Sequence, residues 1–109
     1  MSQNDQILDA VFTALANDKR RAMVFDLSLT PSTIGELAVR YKLTLPAMHK
    51  HIGVLEAAQL IRRKKSGRTN FVTLDPTALK ALQAWIMQYN TAWSNVDATL
   101  SNYITKMQE

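Results

Sequence analysis

The chain has 109 residues and a formal net charge of +4, and it contains no cysteine. This length suits one domain with a modest hydrophobic core, and the lack of thiols excludes disulfides, thiolate metal sites and cysteine chemistry. The N-terminal residues MSQNDQ lack the basic and apolar regions of a signal peptide, and no run of about 18 apolar residues could cross a membrane. We therefore expect a soluble, cytoplasmic protein with no membrane partner.

Three helices are predicted in the first third of the chain. Apolar residues at helical spacing place the first helix at about residues 5–16. Asn17 is a favourable N-cap for the second helix. Thr33, with Glu36 three residues later, has the pattern of a capping box. A third helix is therefore predicted to run from there to about Tyr41.

A fourth helix and a β-hairpin are predicted next. Thr44 provides the N-cap, and apolar residues then recur at intervals of three and four, which makes the fourth helix amphipathic. After Gln59 the pattern changes to that of two strands, at residues 60–64 and 69–74. Gly67 lies in the connection between them and supplies the positive φ that such a hairpin needs.

The C-terminal segment has the most regular apolar pattern in the chain. Asp75 is a favourable N-cap followed by a proline, and a single helix of about residues 76–107 is predicted. Its heptad seam consists of Leu79, Leu82, Ile86, Tyr89, Trp93, Val96, Leu100, Tyr103 and Met107. Such a helix would be about 45 Å long, more than one chain of this size can cover. The seam packs either against the first helix of its own chain or against a second copy, and we favour the second copy.

The order of these elements is that of a winged helix-turn-helix, so the predicted fold is mainly α with a small β-hairpin, in a single domain of residues 1–109. The charge is concentrated in residues 40–68, which hold eight cations and one anion and so carry +7, while the rest of the chain carries −3. Such a concentration is typical of a nucleic-acid-binding surface. A solvated basic face is the plainer alternative.

The outer face of the fourth helix and the tip of the hairpin are the predicted DNA contacts. Small side chains let a helix lie deep in a major groove, and a cationic loop suits phosphates or the minor groove. The predicted contact residues are Thr44, Pro46, Ala47, His49, Lys50 and Gly53 of the helix, and Arg62, Lys64, Lys65, Ser66 and Arg68 of the hairpin.

Three stretches resemble the ArsR-type winged-helix transcriptional repressors. They are LANDKRR at residues 15–21, IGELA at 34–38 and LPAMHKHIGVLE at 45–56, within a similarity that covers about residues 7–95. The resemblance implies a homodimer joined through its first and last helices, with each recognition helix in a major groove. The interface residues expected on this basis are Ile7, Leu8, Val11, Leu82, Ile86, Tyr89, Trp93, Val96 and Leu100.

Three residues depart from the pattern of that family. His49 stands where the family often has serine, Gly53 where lysine is common, and Gln59 where a glycine usually ends the recognition helix. The first two lie at predicted DNA contacts, so they bear on which DNA sequence is bound.

The two histidines do not predict a metal site, although many relatives of this type sense metals. Successive helical residues are rotated by about 100°, so His49 and His51 point in nearly opposite directions and cannot share an ion. We expect His51 to be structural and His49 to face DNA. No nucleophile–base pair or Gly-rich phosphate loop is present. We therefore predict no enzyme activity, metal or cofactor.

The aromatic residues Trp85, Tyr89 and Trp93 allow two interpretations. They form part of the dimer core, or they line a cavity for a small apolar effector between the long helices.

Two functions from different classes fit the sequence. The first is a homodimeric, sequence-specific DNA-binding regulator, expected to be a repressor, that binds an inverted-repeat operator; a regulator that also responds to a small apolar ligand is a variant of it. The second is a protein-interaction module in which the winged fold is a scaffold and the last helix pairs with a different partner.

Overall fold

The computed structural model describes residues 3–90 and 95–109. Within these ranges the chain forms a mainly helical winged helix-turn-helix with a three-stranded antiparallel wing. The helices are α1 (Gln3–Leu15), α2 (Asp18–Leu29), α3 (Ile34–Arg40), α4 (Leu45–Ala57), α5 (Pro76–Met87) and α6 (Val96–Gln108), and the strands are β1 (Ser32–Thr33), β2 (Ile61–Ser66) and β3 (Thr69–Leu74). No helix in the described ranges has the length and hydrophobicity needed to cross a membrane.

Side-chain caps begin four of the helices at the predicted residues. In each case a side-chain oxygen accepts a hydrogen bond from a backbone N–H of the first turn, which satisfies a donor that has no partner within the helix. The caps are Asn17 for α2, Thr33 for α3, Thr44 for α4 and Asp75 for α5. At the start of α3, the Glu36 carboxylate also accepts a hydrogen bond from the Thr33 hydroxyl, at 3.1 Å.

The turn between α3 and α4 is fixed by backbone and side-chain hydrogen bonds. Lys42 adopts a positive φ of 55°, and the Leu43 N–H returns to the Ala38 carbonyl at 2.9 Å. The Tyr41 hydroxyl donates to the Asp26 carboxylate of α2. Burial, followed by this hydrogen bond and the Asp26 charge, raises the pKa of Tyr41 to about 12, so the phenol remains a donor at neutral pH. α4 is therefore held at a defined angle to the body of the protein.

The sheet has one strand more than the predicted hairpin. Strand β1 pairs antiparallel with β3, placing Ser32 opposite Val72, and gives the order β1-β3-β2. The sequence prediction missed β1 because two residues are too short for an alternating pattern, and the neighbouring Pro31 indicated only a helix break. The predicted hairpin turn is confirmed, with Gly67 at a φ of 62°.

The prediction of one continuous helix over residues 76–107 is wrong. α5 ends at Met87, residues 88–89 form a turn, and α6 begins at Val96. At the turn, the backbone N–H groups of Gln88 and Tyr89 donate to the carbonyls three residues back, of Trp85 and Ile86, which ends the α-helical pattern. Residues 91–94 lie outside the described residues. The heptad pattern reports which side chains share a face and does not show that the backbone is continuous between them.

One hydrophobic core joins α1 to the winged part of the chain. Its buried members are Val11, Ala14, Met23, Leu27, Ile34, Leu37, Ala38, Met48, Ile52, Leu55, Ala58, Leu60, Ile61, Val72 and Ala78. Val11 is fully buried inside its own chain, so its predicted place in a dimer interface is corrected. α6 contributes no buried residue. The radius of gyration is 19.3 Å, against about 13 Å for a compact chain of about 100 residues.

Candidate nucleic-acid interface

The face of α4 that is directed away from the core is open to solvent. Met48, Ile52 and Leu55 are fully buried on one side of the helix, and a rotation of about 100° per residue places Lys50 almost opposite them. Of the predicted contacts on this helix, Thr44, Pro46, His49 and Lys50 are exposed, and Ala47 and Gly53 are half-buried.

Gly53 makes this face of α4 flat, and no packing contact within the protein requires a glycine at this position. A Cβ added there would meet no atom within 4 Å, and the residue does not need a positive φ. The absence of a side chain therefore makes room outside the protein, which suits the close approach of a DNA groove.

The pairing of β2 with β3 divides the basic residues of the wing between its two faces. Successive residues of a strand point to opposite faces. Arg63 lies opposite the buried Val72, and Lys65 lies opposite Asn70. The side chains of Arg63 and Lys65 therefore emerge from the face of the wing that is directed at the helices. Lys64 emerges from the other face. All of the wing residues from position 62 to 70 are exposed.

Arg62 lies at the base of the wing, where it is paired within the protein while its side chain stays 63% exposed, and its contact with DNA stays a prediction. Its guanidinium lies 3.1 Å from the carboxylate of Asp75, whose side chain is only 10% exposed. Burial raises the pKa of Asp75, but hydrogen bonds from the Thr77 backbone and hydroxyl and from Arg62 outweigh it, so the pKa is lowered overall. The carboxylate stays charged, and Arg62 serves to hold the wing onto the start of α5.

His51 has the structural role that the sequence predicted. Its Nδ1 lies 3.3 Å from a guanidinium nitrogen of Arg20, whose Nε also donates to the Ala14 carbonyl at 2.6 Å. Burial lowers the pKa of His51, and the charges of Arg20 and Lys19 lower it further. The neutral ring accepts from Arg20 and links the end of α1 to the recognition helix.

A cleft of about 360 Å³ separates α4 from the wing, and it brings His49 and Arg68 together. Its walls are formed by Thr33, Ile34, Gly35, Leu45, His49, Arg68, Thr69 and Asn70. The sequence did not identify Thr33, Gly35, Thr69 or Asn70 as site residues. Thr69 and Asn70 directly follow the predicted wing tip, which is a usable signal, whereas only tertiary packing brings the start of α3 to this position.

The predicted interface residues that the structure describes lie on α1, on α5 and the turn that follows it, and on α6. Ile7, Leu8, Leu82 and Ile86 are half-buried against their own chain, and Tyr89, Val96 and Leu100 are exposed. Trp93 lies outside the described residues.

An aromatic row runs across the outer surface of α1, α5 and the turn that follows α5. The rings of Phe12 and Trp85 meet edge to face at 5.5 Å between centroids, and those of Trp85 and Tyr89 meet in the same way at 5.3 Å. All three remain 37–45% exposed. Phe12 was not among the predicted interface residues, although its spacing from Leu8 indicates the same helix face.

No group of three or more His, Asp or Glu side chains within residues 3–90 and 95–109 is arranged to hold a metal ion.

Comparisons with known proteins agree with the class that this geometry defines. No family model matches the chain. The HTH-type transcriptional regulator Rv2034 of Mycobacterium tuberculosis is 39% identical over 75 residues, which cover 69% of this chain and 70% of that protein. The crystal structure of the ArsR family transcriptional regulator RHA00566 superposes with a TM-score of 0.76 at 35% identity, over 86% of this chain and 97% of that chain.

A third relative is the transcriptional activator HlyU of Vibrio cholerae, 29% identical over 82 residues, which cover 75% of this chain and 76% of that protein. The fold, its exposed recognition helix and these relatives define a DNA-binding transcriptional regulator of the winged helix-turn-helix class, which is not an enzyme. The chain belongs to the ArsR family.

Proposed function

We propose that two copies of the chain bind an inverted-repeat operator and repress transcription from it. The observation that carries this proposal is that His49 of the recognition helix and Arg68 of the wing line one exposed cleft. The helix and the cationic tip therefore face the same side of the molecule, which is the arrangement needed to contact one duplex in two neighbouring places.

The homodimer is supported by apolar surface that the chain does not bury itself. The aromatic row of Phe12, Trp85 and Tyr89 is exposed on α1, α5 and the turn after α5, and Leu100 on α6 is 55% exposed. A twofold dimer would cover these surfaces with their own copies. It would also relate two recognition helices by the same twofold axis, and this predicts half-sites about one helical turn apart or a multiple of it.

The proposal is tested by selecting duplexes from a random-sequence pool with the purified protein. We expect enrichment of a palindromic motif, a dimer by sedimentation, and an affinity that falls steeply with salt because basic side chains of both copies displace counterions. A pool that shows no enrichment over scrambled duplex would reject sequence-specific binding and favour the protein-interaction module instead.

Lys50 is the side chain with the clearest predicted contact in the major groove. Replacing it by alanine is expected to weaken binding to the selected duplex by about 1–3 kcal/mol if it reads a base edge. Lys80→Ala, which changes another exposed lysine on α5, is the matched control and should leave binding unchanged. Fluorescence anisotropy titrations of both variants at one salt concentration make the comparison.

Repression is the simpler of the two directions of regulation for this geometry. A dimer that occupies neighbouring major grooves keeps other proteins off the DNA beneath it, whereas activation needs a further contact. Because the relative HlyU is named an activator, the direction is tested with a reporter carrying the selected duplex over its promoter. Expression of the chain should lower the reporter signal, and an increase would reverse this part of the proposal.

An apolar cleft of about 360 Å³ on α6 supports a second candidate function, a response to a small apolar ligand. The cleft is lined by Val96, Thr99, Leu100 and Tyr103, which include two residues of the proposed interface. A ligand bound there would compete with the partner helix and loosen the dimer. The measurement is the dimer dissociation constant with and without apolar test compounds.

A further inference from the structure

The side chain of Arg20 joins the end of α1 to the recognition helix through a single guanidinium group. Its Nε donates to the Ala14 carbonyl at 2.6 Å, and a second nitrogen donates to the Thr13 carbonyl at 3.3 Å. Both carbonyls belong to the last turn of α1, where they have no acceptor role within the helix. The third nitrogen lies 3.3 Å from Nδ1 of His51 on α4. One rigid, planar group therefore contacts two helices at once.

A groove of about 530 Å³ lies between the outer sides of these two helices. It is lined on the α1 side by Ala10 and Thr13 and on the α4 side by Val54, Ala57 and Ala58. The inner side of α4 packs into the core, but a groove of this size leaves the helix room to tilt toward α1 or away from it. The Arg20 guanidinium bonds to the Thr13 carbonyl at the edge of this groove, so it is placed to fix the angle between the helices.

The contact requires a neutral His51 ring. A guanidinium only donates hydrogen bonds, so Nδ1 of His51 accepts and the ring proton lies on Nε2. A protonated ring would have no acceptor for Arg20 and would place a second positive charge beside the guanidinium. Protonation of His51 is therefore expected to open the contact and free α4 to tilt.

Charged groups lie near His51 on three helices. Arg20 and Lys19 of α2 disfavour a protonated ring and add to the effect of burial, so the pKa of His51 is lowered. Asp9 belongs to the α1 wall of the groove, one turn before Thr13. On α4, the Glu56 carboxylate pairs with the wing at 3.3 Å. Burial and the cations outweigh these carboxylates, because the pKa shift is downward.

Resting on the proposed function, we propose that Arg20 and His51 are positioning residues for DNA recognition, which set the angle of α4 to α1 only while the His51 ring is neutral. α1 also carries Phe12, part of the apolar surface assigned to the contact between copies. The same angle therefore sets how the two recognition helices of a dimer are directed. Loss of the contact should weaken binding and also relax the preferred distance between half-sites.

The first test compares two neighbouring arginines. Arg20→Lys keeps the charge but replaces three nitrogens in a plane by one ammonium group, which cannot make the same contacts with both helices. Arg21→Lys is the matched control, because Arg21 also donates to the last turn of α1, to the Leu15 carbonyl at 2.8 Å, in a bond that does not involve α4. Arg20→Lys should weaken binding to the selected duplex roughly 10-fold, and Arg21→Lys should bind nearly as the wild type does. Equal losses in the two variants would contradict the proposal.

The spacing of the half-sites separates positioning from general stability. The probes are the selected duplex and versions with one base pair added or removed between the half-sites, which rotates one half-site by about 35° against the other. The wild type should discriminate strongly against both altered duplexes, whereas Arg20→Lys and His51→Leu should discriminate less. Leu27→Ala, which changes a buried residue two turns farther along α2, should keep the discrimination of the wild type. Wild-type discrimination in His51→Leu would overturn the proposal.

The dependence of binding on pH tests the protonation state. Because the pKa of His51 is lowered, the contact is complete above the ordinary value of about 6.5 and is lost as the pH falls through the lower pKa of the folded chain. The measurement is made in His49→Gln protein, since a protonated His49 at the DNA face would strengthen binding in acid. In that background the affinity should fall as the pH is lowered below about 6.5.

His51→Gln in the same background is the conservative variant. The carbonyl of its side chain can accept from Arg20 but does not titrate in this range, so it should restore binding that His51→Leu loses and should remove the loss in acid. Melting temperatures above the assay temperature would show that the variants are folded. An acid loss that persists in His51→Gln would overturn the proposal while leaving the proposed function intact. A wild type that selects no duplex would reject the proposed function, and this inference with it.

Discussion

α4 and α6 are helices of 13 residues each, with apolar residues at similar spacing, but they use these residues differently. In α4, Met48, Ile52 and Leu55 are fully buried by the rest of the chain. In α6, Leu100 and its neighbours on the apolar stripe stay exposed, and no residue of the helix is buried. Isolated helices of this length are marginal in water, so the stripe of α6 needs a cover that a single chain does not provide.

The difference shows what an apolar pattern can and cannot report. The spacing of three and four residues identifies the face of a helix that avoids water. It carries no information on whether that face is covered by the same chain or by another.

Leu100→Glu is expected to have the largest effect because it would act twice in a twofold interface. Fully burying one leucine contributes about 1.5–3 kcal/mol, so loss of both copies should weaken association by about 3–6 kcal/mol. Sedimentation velocity at micromolar concentration should then show a monomer, whereas the wild type is expected to sediment as a dimer.

Thr105→Glu is the control for that experiment. It adds the same charge to α6, but helical rotation places it on the side opposite Leu100. This variant should remain dimeric and should keep its affinity for the selected duplex. If Leu100→Glu also remains dimeric, the stripe of α6 is not part of the contact between copies.

Leu55→Ala should give the next largest effect, because it removes a side chain from the core of the chain itself. Leucine-to-alanine changes at buried sites cost about 2–5 kcal/mol. Urea titrations should show this loss of unfolding free energy, and the difference should be the same when protein concentration is raised. Val54→Ala, at the exposed neighbouring position, should cost much less. Similar losses at both positions would contradict the assigned orientation of α4.

Much of the fold could be predicted from the sequence because its signals are local. The caps Asn17, Thr33, Thr44 and Asp75 lie where a side-chain oxygen meets a free N–H of the following turn. The hairpin was predictable from Gly67, whose positive φ is observed. These features depend on residues only a few positions apart.

The features that were missed depend on distant parts of the chain. Strand β1 exists because β3 provides partners for Ser32 and Thr33. The ion pair of Arg62 was not predicted because its partner, Asp75, lies 13 residues away. The cleft beside His49 also depends on tertiary structure, because three separate elements form it.

Gln59 has a positive φ of 59° at the end of α4, where the family pattern has glycine, so the backbone conformation is kept although the residue differs.

Replacement of Asp75 should have an intermediate effect, since the residue links the wing to α5. Asp75→Ala removes an N-cap and should cost about 0.5–2 kcal/mol of unfolding free energy. Asp75→Asn keeps a capping side chain but loses the charge that pairs with Arg62. The comparison of the two variants separates capping from charge.

The pH dependence of the Asp75 contribution follows from the sign of its pKa shift. Because the pKa is lowered in the folded chain, the carboxylate adds stability above its pKa in the unfolded chain, about 4. That contribution is lost as the pH falls through the lower folded pKa. The difference in unfolding free energy between wild type and Asp75→Asn should be constant near neutral pH and shrink below about pH 4. A difference that grows on acidification would contradict the role of the charge.

The ion pair between Arg63 and Glu56 should give the smallest effect, although it joins the wing to the recognition helix. The Arg63 Nε lies 3.3 Å from a Glu56 carboxylate oxygen, and both side chains are about one-third to two-fifths exposed. Exposed pairs of this kind contribute about 0.2–1 kcal/mol and are weakened by salt. A double-mutant cycle of Arg63→Gln and Glu56→Gln in urea should give a coupling free energy in that range at low salt and less at high salt. A coupling well above about 1 kcal/mol that salt does not change would mean that the wing is held to α4 as firmly as the core is packed, and the wing would then belong to the rigid part of the DNA-binding face.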